Sequence, residues 1–503
     1  MTKPYLITTA ISYPNGRPHI GHAYEAIAGD VIARFHRNRG YDVRFVGGTD
    51  EHGLKMVQTA RNEGRETLEF ADEMSGYFSE MADKLDISYD AFVRTTEPRH
   101  HHASKAIWTA MEDAADLYLD RYEGWYSVRD EAFYDESELV EGDDGTKLSP
   151  QGTPVEWTAE ETWFFRLSKY QDRLLQLYSE QPDFIRPESR RNEVLRFVEA
   201  GLKDLSVSRT SFDWGVPVPN SPGHVMYVWV DALTTYMTGV GYPDDQAQYD
   251  RYWPADVHLI GKDIVRFHTV YWPAFLMSAK LPLPRQVFGH GFLLSRGEKM
   301  SKSVGNVVDP MELADRFGVD ALRYFLLREV PFGQDGSYSA EAIVNRANAE
   351  LANSFGNLAQ RTLSMIHKNL GGILPEHGDE AADRDLLGTV EHATATEIPE
   401  AFERFAFSVG IEAWLRAVFA CNAYVDEQAP WALRKTDPER MSAVLGTLVK
   451  AIRMLTAAIA PVIPASADRL MSVIDAGEGG APIPAPTPLF PRLELPEEED
   501  AAA

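Results

Sequence analysis

The chain has 503 residues, 44% of them hydrophobic and 25% charged, with a formal net charge of −27 at pH 7. That length suggests about three domains with ample core, and the ordinary composition excludes fibrous and wholly disordered classes. The single cysteine, Cys421, excludes a disulfide scaffold and fits a cytoplasmic protein; no membrane-spanning run and no signal peptide are expected.

Residues 5–11, Tyr-Leu-Ile-Thr-Thr-Ala-Ile, read as a buried parallel strand, and Tyr13-Pro14-Asn15-Gly16 as a turn. From Pro18, which suits a first helical position, Ile20, Ala23, Tyr24, Ile27, Val31 and Phe35 recur at helical spacing. His19 and His22 therefore fall on the first turn, where unpaired N–H groups and the macrodipole favour an anion. Gly21, lacking a Cβ, lets a nucleotide approach the backbone. His100-His101-His102 point in three directions on a helix and read as a solvated triplet, not a metal site.

Aromatic strand-like runs follow from residue 117, then a helical stretch from Asp172 to Gln181. His258-Leu259-Ile260 reads as a strand whose C-terminal end carries Gly261, Lys262 and Asp263, where doubly wound sheets bind ligands. His268 and Trp272, four apart, share a helix face. The polar stretch from Ser295 to Asn306 reads as a mobile loop, not a strand or helix, and holds Lys299-Met300-Ser301-Lys302-Ser303. Two lysines there can neutralise charge building on a departing pyrophosphate. Residues 346–477 are almost entirely amphipathic helix, with Cys421 a buried small hydrophobe, and Pro482 to Ala503 is Pro-rich, then acidic, and expected to be disordered.

His19-Ile20-Gly21-His22 followed by Lys299–Ser303 resembles the paired signatures of class I aminoacyl-tRNA synthetases, which activate an amino acid with ATP before loading it onto tRNA. Longer blocks resemble the methionyl-tRNA synthetase family over nearly the whole chain. They are Ala10 to His22, Phe45-Val-Gly-Gly-Thr-Asp-Glu-His-Gly53, Tyr227-Val-Trp-Val-Asp-Ala232, His258 through Trp272, the lysine motif, and Tyr424-Val-Asp-Glu-Gln-Ala-Pro-Trp431. The resemblance implies an α/β fold: a doubly wound parallel nucleotide-binding (Rossmann-like) sheet with a connective insertion, followed by an α-helical anticodon-binding bundle. The expected organisation is 1–116 and 226–292 for the two halves of the catalytic domain, 117–225 for the insertion, 293–345 for the lysine-loop linker, 346–477 for the bundle and 478–503 for the tail.

It further implies a methionine–tRNA ligase acting on L-methionine, ATP with Mg²⁺, and tRNA(Met), as a cytoplasmic monomer. Family positions assign His19, His22, Lys299 and Lys302 to transition-state charge stabilisation. Gly21, Glu25, Arg209, Gly261, Asp263 and the motif residues Met300, Ser301 and Ser303 fall on the ATP side. The methionine pocket is expected from Ala10, Ile11, Tyr13, Asp50, Trp229, Ala232, Tyr236, Ile264, His268 and Trp272. That set suits a thioether, which is only a weak acceptor and is recognised by apolar shape and sulfur–aromatic contact. Asp50 is expected to pair with the substrate ammonium. Leu233 stands where many family members carry proline. Asn357, Arg361 and Trp431 are the expected anticodon readers.

Many family members hold zinc with Cys-x-x-Cys knuckles in the insertion, but the matching region from Tyr122 to Tyr134 has no cysteine, so no structural zinc is expected. The charge of −27 argues for weak, salt-dependent tRNA affinity. Two alternatives compete with this reading: a smaller nucleotidyltransferase, which has no use for the helical C-terminal half, and a tRNA-binding protein derived from a synthetase without ligase activity.

Overall fold

The structure is a computed structural model that describes residues 2–130, 132–142, 145–295, 298–299 and 307–495. Two compact units divide the chain, one ending at His290 and the other beginning at Gly291 and taking in Lys84–Asp86.

In the first unit the chain runs through β1 (Pro4–Thr9), α1 (Ile20–Asn38), β2 (Asp42–Thr49), β3 (Ala91–Arg94) and α2 (Pro98–Asp113). The helix begins one residue after His19, which is its N-cap, so Pro18 lies outside the helix instead of at its first position. Next come β4 (Leu117–Ser127) and β5 (Glu156–Phe165), a long antiparallel pair, then β6 (Ile185–Arg186), α3 (Val228–Thr238), β7 (Val257–Gly261), α4 (Trp272–Ser278) and β8 (Val287–His290). Six strands form one parallel sheet in the order β3-β2-β1-β7-β8-β6. The sixth strand comes from within 117–225; two residues are too few to carry a sequence period. Apolar runs such as Val257–Gly261 are buried throughout, as a sheet covered on both faces requires.

At the tip of the insertion Asp130 Oδ2 accepts from the hydroxyls of Tyr134 (3.0 Å), Ser149 (2.6 Å) and Thr153 (2.5 Å). Ser127 Oγ in turn lies 2.7 Å from Thr153 Oγ1. This knot of hydroxyls around one carboxylate, without thiolates, holds the tip together.

The second unit carries α5 (Pro310–Phe317), α6 (Val319–Glu329), α7 (Asn357–Asn369), α8 (Ala381–His392), α9 (Phe407–Gln428), α10 (Pro430–Thr436), α11 (Pro438–Ile459) and α12 (Pro464–Asp475). α11 packs against α7, α8, α9, α10 and α12. It is long and apolar enough to cross a membrane by length and composition, which corrects the expectation that no such run exists. Its apolar residues Val444, Leu448, Ile452, Leu455 and Ile459 are nonetheless buried, as the central helix of a bundle demands. A buried guanidinium, Arg323, donates to the carbonyls of Val462 (3.1 Å), Pro461 (2.9 Å) and Leu85 (3.1 Å).

Two expectations fail here. The tail is not disordered as far as Leu493: Ile483 is buried, and Asn348 exchanges two 2.8 Å hydrogen bonds with the backbone of Leu493. Apolar residues spaced among the prolines supply anchors that composition averages away. The lysine stretch likewise starts in strand, Leu293–Ser295 pairing antiparallel with Glu298–Lys299. Met300, Ser301, Lys302 and Ser303 lie outside the described residues.

Candidate functional site

Strand order reverses between β1 and β7, and ligands of doubly wound sheets bind outside the strand ends at such a point. There Ala10 N–H donates to Leu259 O (3.0 Å), Ser12 N–H to Gly48 O (3.0 Å) and Asp50 N–H to Ser12 O (2.8 Å). Ala10, Ile11, Tyr13 and Asp50 thus form one connected rim. Tyr13 adds a hydroxyl that accepts from Met56 N–H at 2.9 Å.

On α3, Trp229, Ala232 and Tyr236 follow i, i+3, i+7 spacing and share one stripe. Trp229 lies flat on Phe267, 3.8 Å between ring centroids and 4° between planes. His268 Nδ1 is 3.0 Å from the Ile264 carbonyl, which only accepts, so Nδ1 carries the proton and Nε2 accepts from the Tyr236 hydroxyl at 2.6 Å. Burial lowers the His268 pKa to about 4, so the ring is neutral at pH 7. Burial also raises the Tyr236 hydroxyl well above its ordinary value, helped by the negative charges of Glu25 and Asp50, which bear on the same ring.

Trp272 is fully enclosed and donates its indole N–H to His258 Nε2 at 3.2 Å, leaving His258 Nδ1–H for Thr8 Oγ1 at 2.7 Å. The segment Phe267–Tyr271 is π-helical, so the shared face of His268 and Trp272 comes through His258, within ring contact of His268 (6.3 Å), and not through regular α-helical stacking. Sequence reasoning assigned no role to Phe267 or His258; a histidine inside the otherwise apolar strand Val257–Gly261 was the available signal.

At the start of α1, Gly21 N–H donates to His19 Nδ1 and His19 N–H to His22 Nδ1, both at 3.1 Å. With both Nδ1 atoms accepting, each neutral imidazole carries its proton on Nε2. The rings stack at 3.8 Å. A Cβ on Gly21 would lie 2.9 Å from the His19 ring, so the glycine makes room for the imidazole that caps the helix.

Further along α1, Glu25 accepts from His290 Nε2 at 2.8 Å. Burial raises its pKa; His290 opposes this and the Asp263 carboxylate adds to it, which puts Glu25 and Asp263 near each other. Gly261 ends β7, and its missing Cβ leaves space 2.9 Å from Asp263 Oδ1. Arg209 sits in the short pair Ser208–Arg209 with Val225–Met226. It is buried, donates to Ser206 Oγ (2.9 Å) and Ser208 O (2.7 Å), and lies over the Tyr227 ring.

The histidine triplet is corrected. His100 is fully buried and His101 half-buried; only His102 is exposed, ion-paired with Asp244. His100 continues the stripe of Ala103, Ser104, Ile107 and Met111 that α2 buries. Among the described residues no three His, Cys, Asp or Glu side chains gather to hold a metal ion.

In the second unit Asn357, Gln360, Arg361, Ser364, Met365 and Trp431 line one surface cavity of about 520 Å³. Trp431 is 49% exposed, which removes the reading of it as a bundle-core residue. The Arg361 guanidinium sits 5.7 Å from its ring centroid.

Two family models match the chain: tRNA synthetases class I (M) over residues 5–363, and the anticodon binding domain of methionyl tRNA ligase over residues 375–486. The chain is 55% identical to the methionine–tRNA ligase of Brucella suis biovar 1 (strain 1330), covering 99% of both chains. It is 54% identical to that of Mycobacterium tuberculosis (strain ATCC 25618 / H37Rv), covering 98% of this chain and 99% of the relative. The crystallised Mycobacterium tuberculosis methionyl-tRNA synthetase in complex with methionyl-adenylate superposes with a TM-score of 0.94 at 54% identity, over 98% of this chain and 100% of that one. With two family models and a relative matched over nearly its full length in agreement, the chain belongs to the methionine–tRNA ligases, the methionyl branch of the class I tRNA synthetases.

Proposed function

We propose that this chain activates L-methionine with MgATP to methionyl-adenylate, releasing pyrophosphate, and then transfers the methionyl group to the 3′ end of tRNA(Met). The observation that carries the reading is the strand-end rim, where the buried Asp50 carboxylate bears on Tyr236, whose hydroxyl bonds His268 in the aromatic wall shared with Trp229. Such a site offers one carboxylate to an ammonium and otherwise polarizable apolar surface, which is what an unbranched thioether amino acid needs. Ala10, Ile11, Tyr13, Ala232, Ile264 and Trp272 complete that pocket.

The methionine carboxylate is ionised at pH 7 and attacks the α-phosphorus directly, so no side-chain base is required. A new O–P bond forms as the bond to pyrophosphate breaks. The two imidazoles at the α1 N-terminus offer Nε2–H donors, His19 and His22, to the charge that develops on the phosphates. Lys299 and Lys302 follow the departing pyrophosphate, and Gly21, Met300, Ser301 and Ser303 take part in binding ATP. Gly261 and Asp263 serve the ribose, Glu25 faces the nucleotide, and Arg209 serves a phosphate. Mg²⁺ arrives as part of the ATP complex. Asn357 and Arg361 bond anticodon base edges while Trp431 stacks on a base. The protein works as a monomer in the cytoplasm and needs no structural zinc, which elemental analysis checks.

Amino-acid-dependent exchange of pyrophosphate into ATP, without tRNA, tests the reading. It should run with methionine at least about a hundredfold faster than with leucine or isoleucine. Equal exchange with leucine removes the methionine assignment; no exchange with any amino acid, beside intact tRNA binding, favours a non-catalytic tRNA-binding protein.

A further inference from the structure

Behind the pocket lies a buried polar chain that none of the assigned roles uses. Asp231, in α3 and 1% exposed, accepts from His52 Nδ1 at 2.5 Å and from His100 Nε2 at 2.6 Å. His100 is itself completed by Thr238 Oγ1 at its Nδ1 (2.9 Å). At 100° per residue Asp231 points roughly 100° to 160° away from Trp229, Ala232 and Tyr236 around α3. A helix that presents its pocket stripe to one side is thus gripped from the other.

The second end of the grip is the tripeptide Asp50-Glu51-His52 after β2. Each residue is pinned to a different element. Asp50 N–H holds the β1 rim at Ser12. Glu51, fully buried, takes both arms of Arg94 (2.7 and 3.0 Å) and the hydroxyls of Thr49 (2.8 Å) and Thr96 (2.6 Å). His52 holds α3 through Asp231. Gly53 follows at φ 102°, a turn that closes the tripeptide and that L side chains rarely adopt.

We propose that Asp231, held between His52 and His100, is a positioning residue for amino-acid capture: it fixes the distance between the Asp50 carboxylate and the wall formed by Trp229, Ala232 and Tyr236. A buried carboxylate with two imidazole donors is a directional link, and loss of either donor lets the tripeptide and the helix shift separately. The proposal rests on the reading that Asp50 meets the ammonium of methionine.

The test uses the full-length protein in pyrophosphate exchange, beside thermal melting. In His52→Ala and Asp231→Asn the KM for methionine should rise about 10- to 100-fold with the KM for ATP within about threefold. His52→Asn puts an amide N–H where Nδ1–H was and His100→Gln does the same for Nε2–H, so both should recover most of the loss. Two inhibitors separate ammonium capture from pocket collapse. Methioninol keeps the ammonium, and its inhibition constant should rise in parallel with KM. 4-(Methylthio)butanoate lacks it, and its constant should change less than about twofold. A parallel rise for both inhibitors, a joint rise in both KM values with a lowered melting temperature, or no recovery in His52→Asn overturns the proposal. Failure of wild-type exchange would instead overturn the functional reading itself.

Discussion

Each unit seats its candidate recognition surface on a buried aspartate with two side-chain partners, but the partners differ in kind. In the first unit Asp231 carries two imidazoles. In the second, Asp383 carries the Arg440 guanidinium in a bidentate pair (2.6 and 2.9 Å) and the Tyr424 hydroxyl. Arg440 also donates to Gln428 at 2.7 Å. Gln428 ends α9, and the left-handed Ala429 then turns the chain to Pro430 and Trp431. In both aspartates burial alone raises the carboxyl pKa, and their hydrogen-bond donors more than reverse it. The difference is that a guanidinium brings a permanent charge on a forked pair of N–H donors, whereas each imidazole brings one directional N–H. The aromatic pocket is thus gripped by two single donors from different elements, and the helical unit's surface by one forked donor with a phenol beside it.

The largest effect should sever chemistry from recognition. Lys302→Ala is expected to lower methionine-dependent exchange by about two to four orders of magnitude, as loss of a charged transition-state contact implies. Methionine affinity and tRNA binding should hardly change. Collapse of methionine affinity, read by equilibrium dialysis, would move this lysine from the chemistry to the architecture.

Next comes the seat of the second unit. Asp383→Ala leaves the Arg440 guanidinium, 11% exposed, without its carboxylate. Breaking a buried pair on one side costs about 3–5 kcal/mol, so denaturant titration should show an earlier transition for the helical unit. Exchange of pyrophosphate in native buffer should survive. If exchange falls in step with the helical unit's stability, the two seats are not independent and the comparison fails.

How much of this was readable in advance depended on what each residue faces. The β1–turn–α1 unit was legible because strand and helix periods change within a few residues of Pro14, and the blocks at Asp50, Trp229 and His268 stand in an apolar context. His100 was misread although it falls on the same helical stripe as Ala103, Ile107 and Met111; the two histidines beside it masked the period. The capping role of Gly21, the two-residue strand Ile185–Arg186 and the π-helical turn at Phe267 leave no spacing signature at all. They are set by tertiary neighbours: an imidazole over a helix start, a sheet edge, a stacked indole.

The third prediction breaks the recognition side alone. Trp431→Ala should cost about 1–3 kcal/mol of tRNA binding, the usual loss for one stacked base, or roughly a factor of 5 to 150 in charging at limiting tRNA. Activation without tRNA should stay near wild type. Because the ring is half exposed and α10 is short, the melting temperature should hold. A drop in both activities together with the melting temperature would make Trp431 a structural residue.

The smallest effect per residue tests whether other buried imidazoles make the first unit the acid-sensitive half. Burial depresses the pKa of His268 to about 4 and of His36 to about 3, and lowers His258 well below its ordinary value; all three lie in the first unit. His268 and His36 are therefore neutral when folded at pH 6, while the unfolded chain, titrating near pH 6.5, already binds protons. The unfolded state binding more protons means that stability rises with pH: it is full above about pH 7.5 and is lost as pH falls toward the folded pKa. Between about pH 7.5 and 6 the loss is about 0.8 kcal/mol per histidine. Amide hydrogen exchange, corrected for its intrinsic pH dependence, should show α3 and the Phe267–Tyr271 turn opening more readily at pH 6. Amides of α11 near Arg440 should show no comparable loosening, because the Arg440 and Tyr424 pKa values are both raised away from that window. Equal loosening of both would mean that acid acts on the whole chain and not through the buried imidazoles of the first unit.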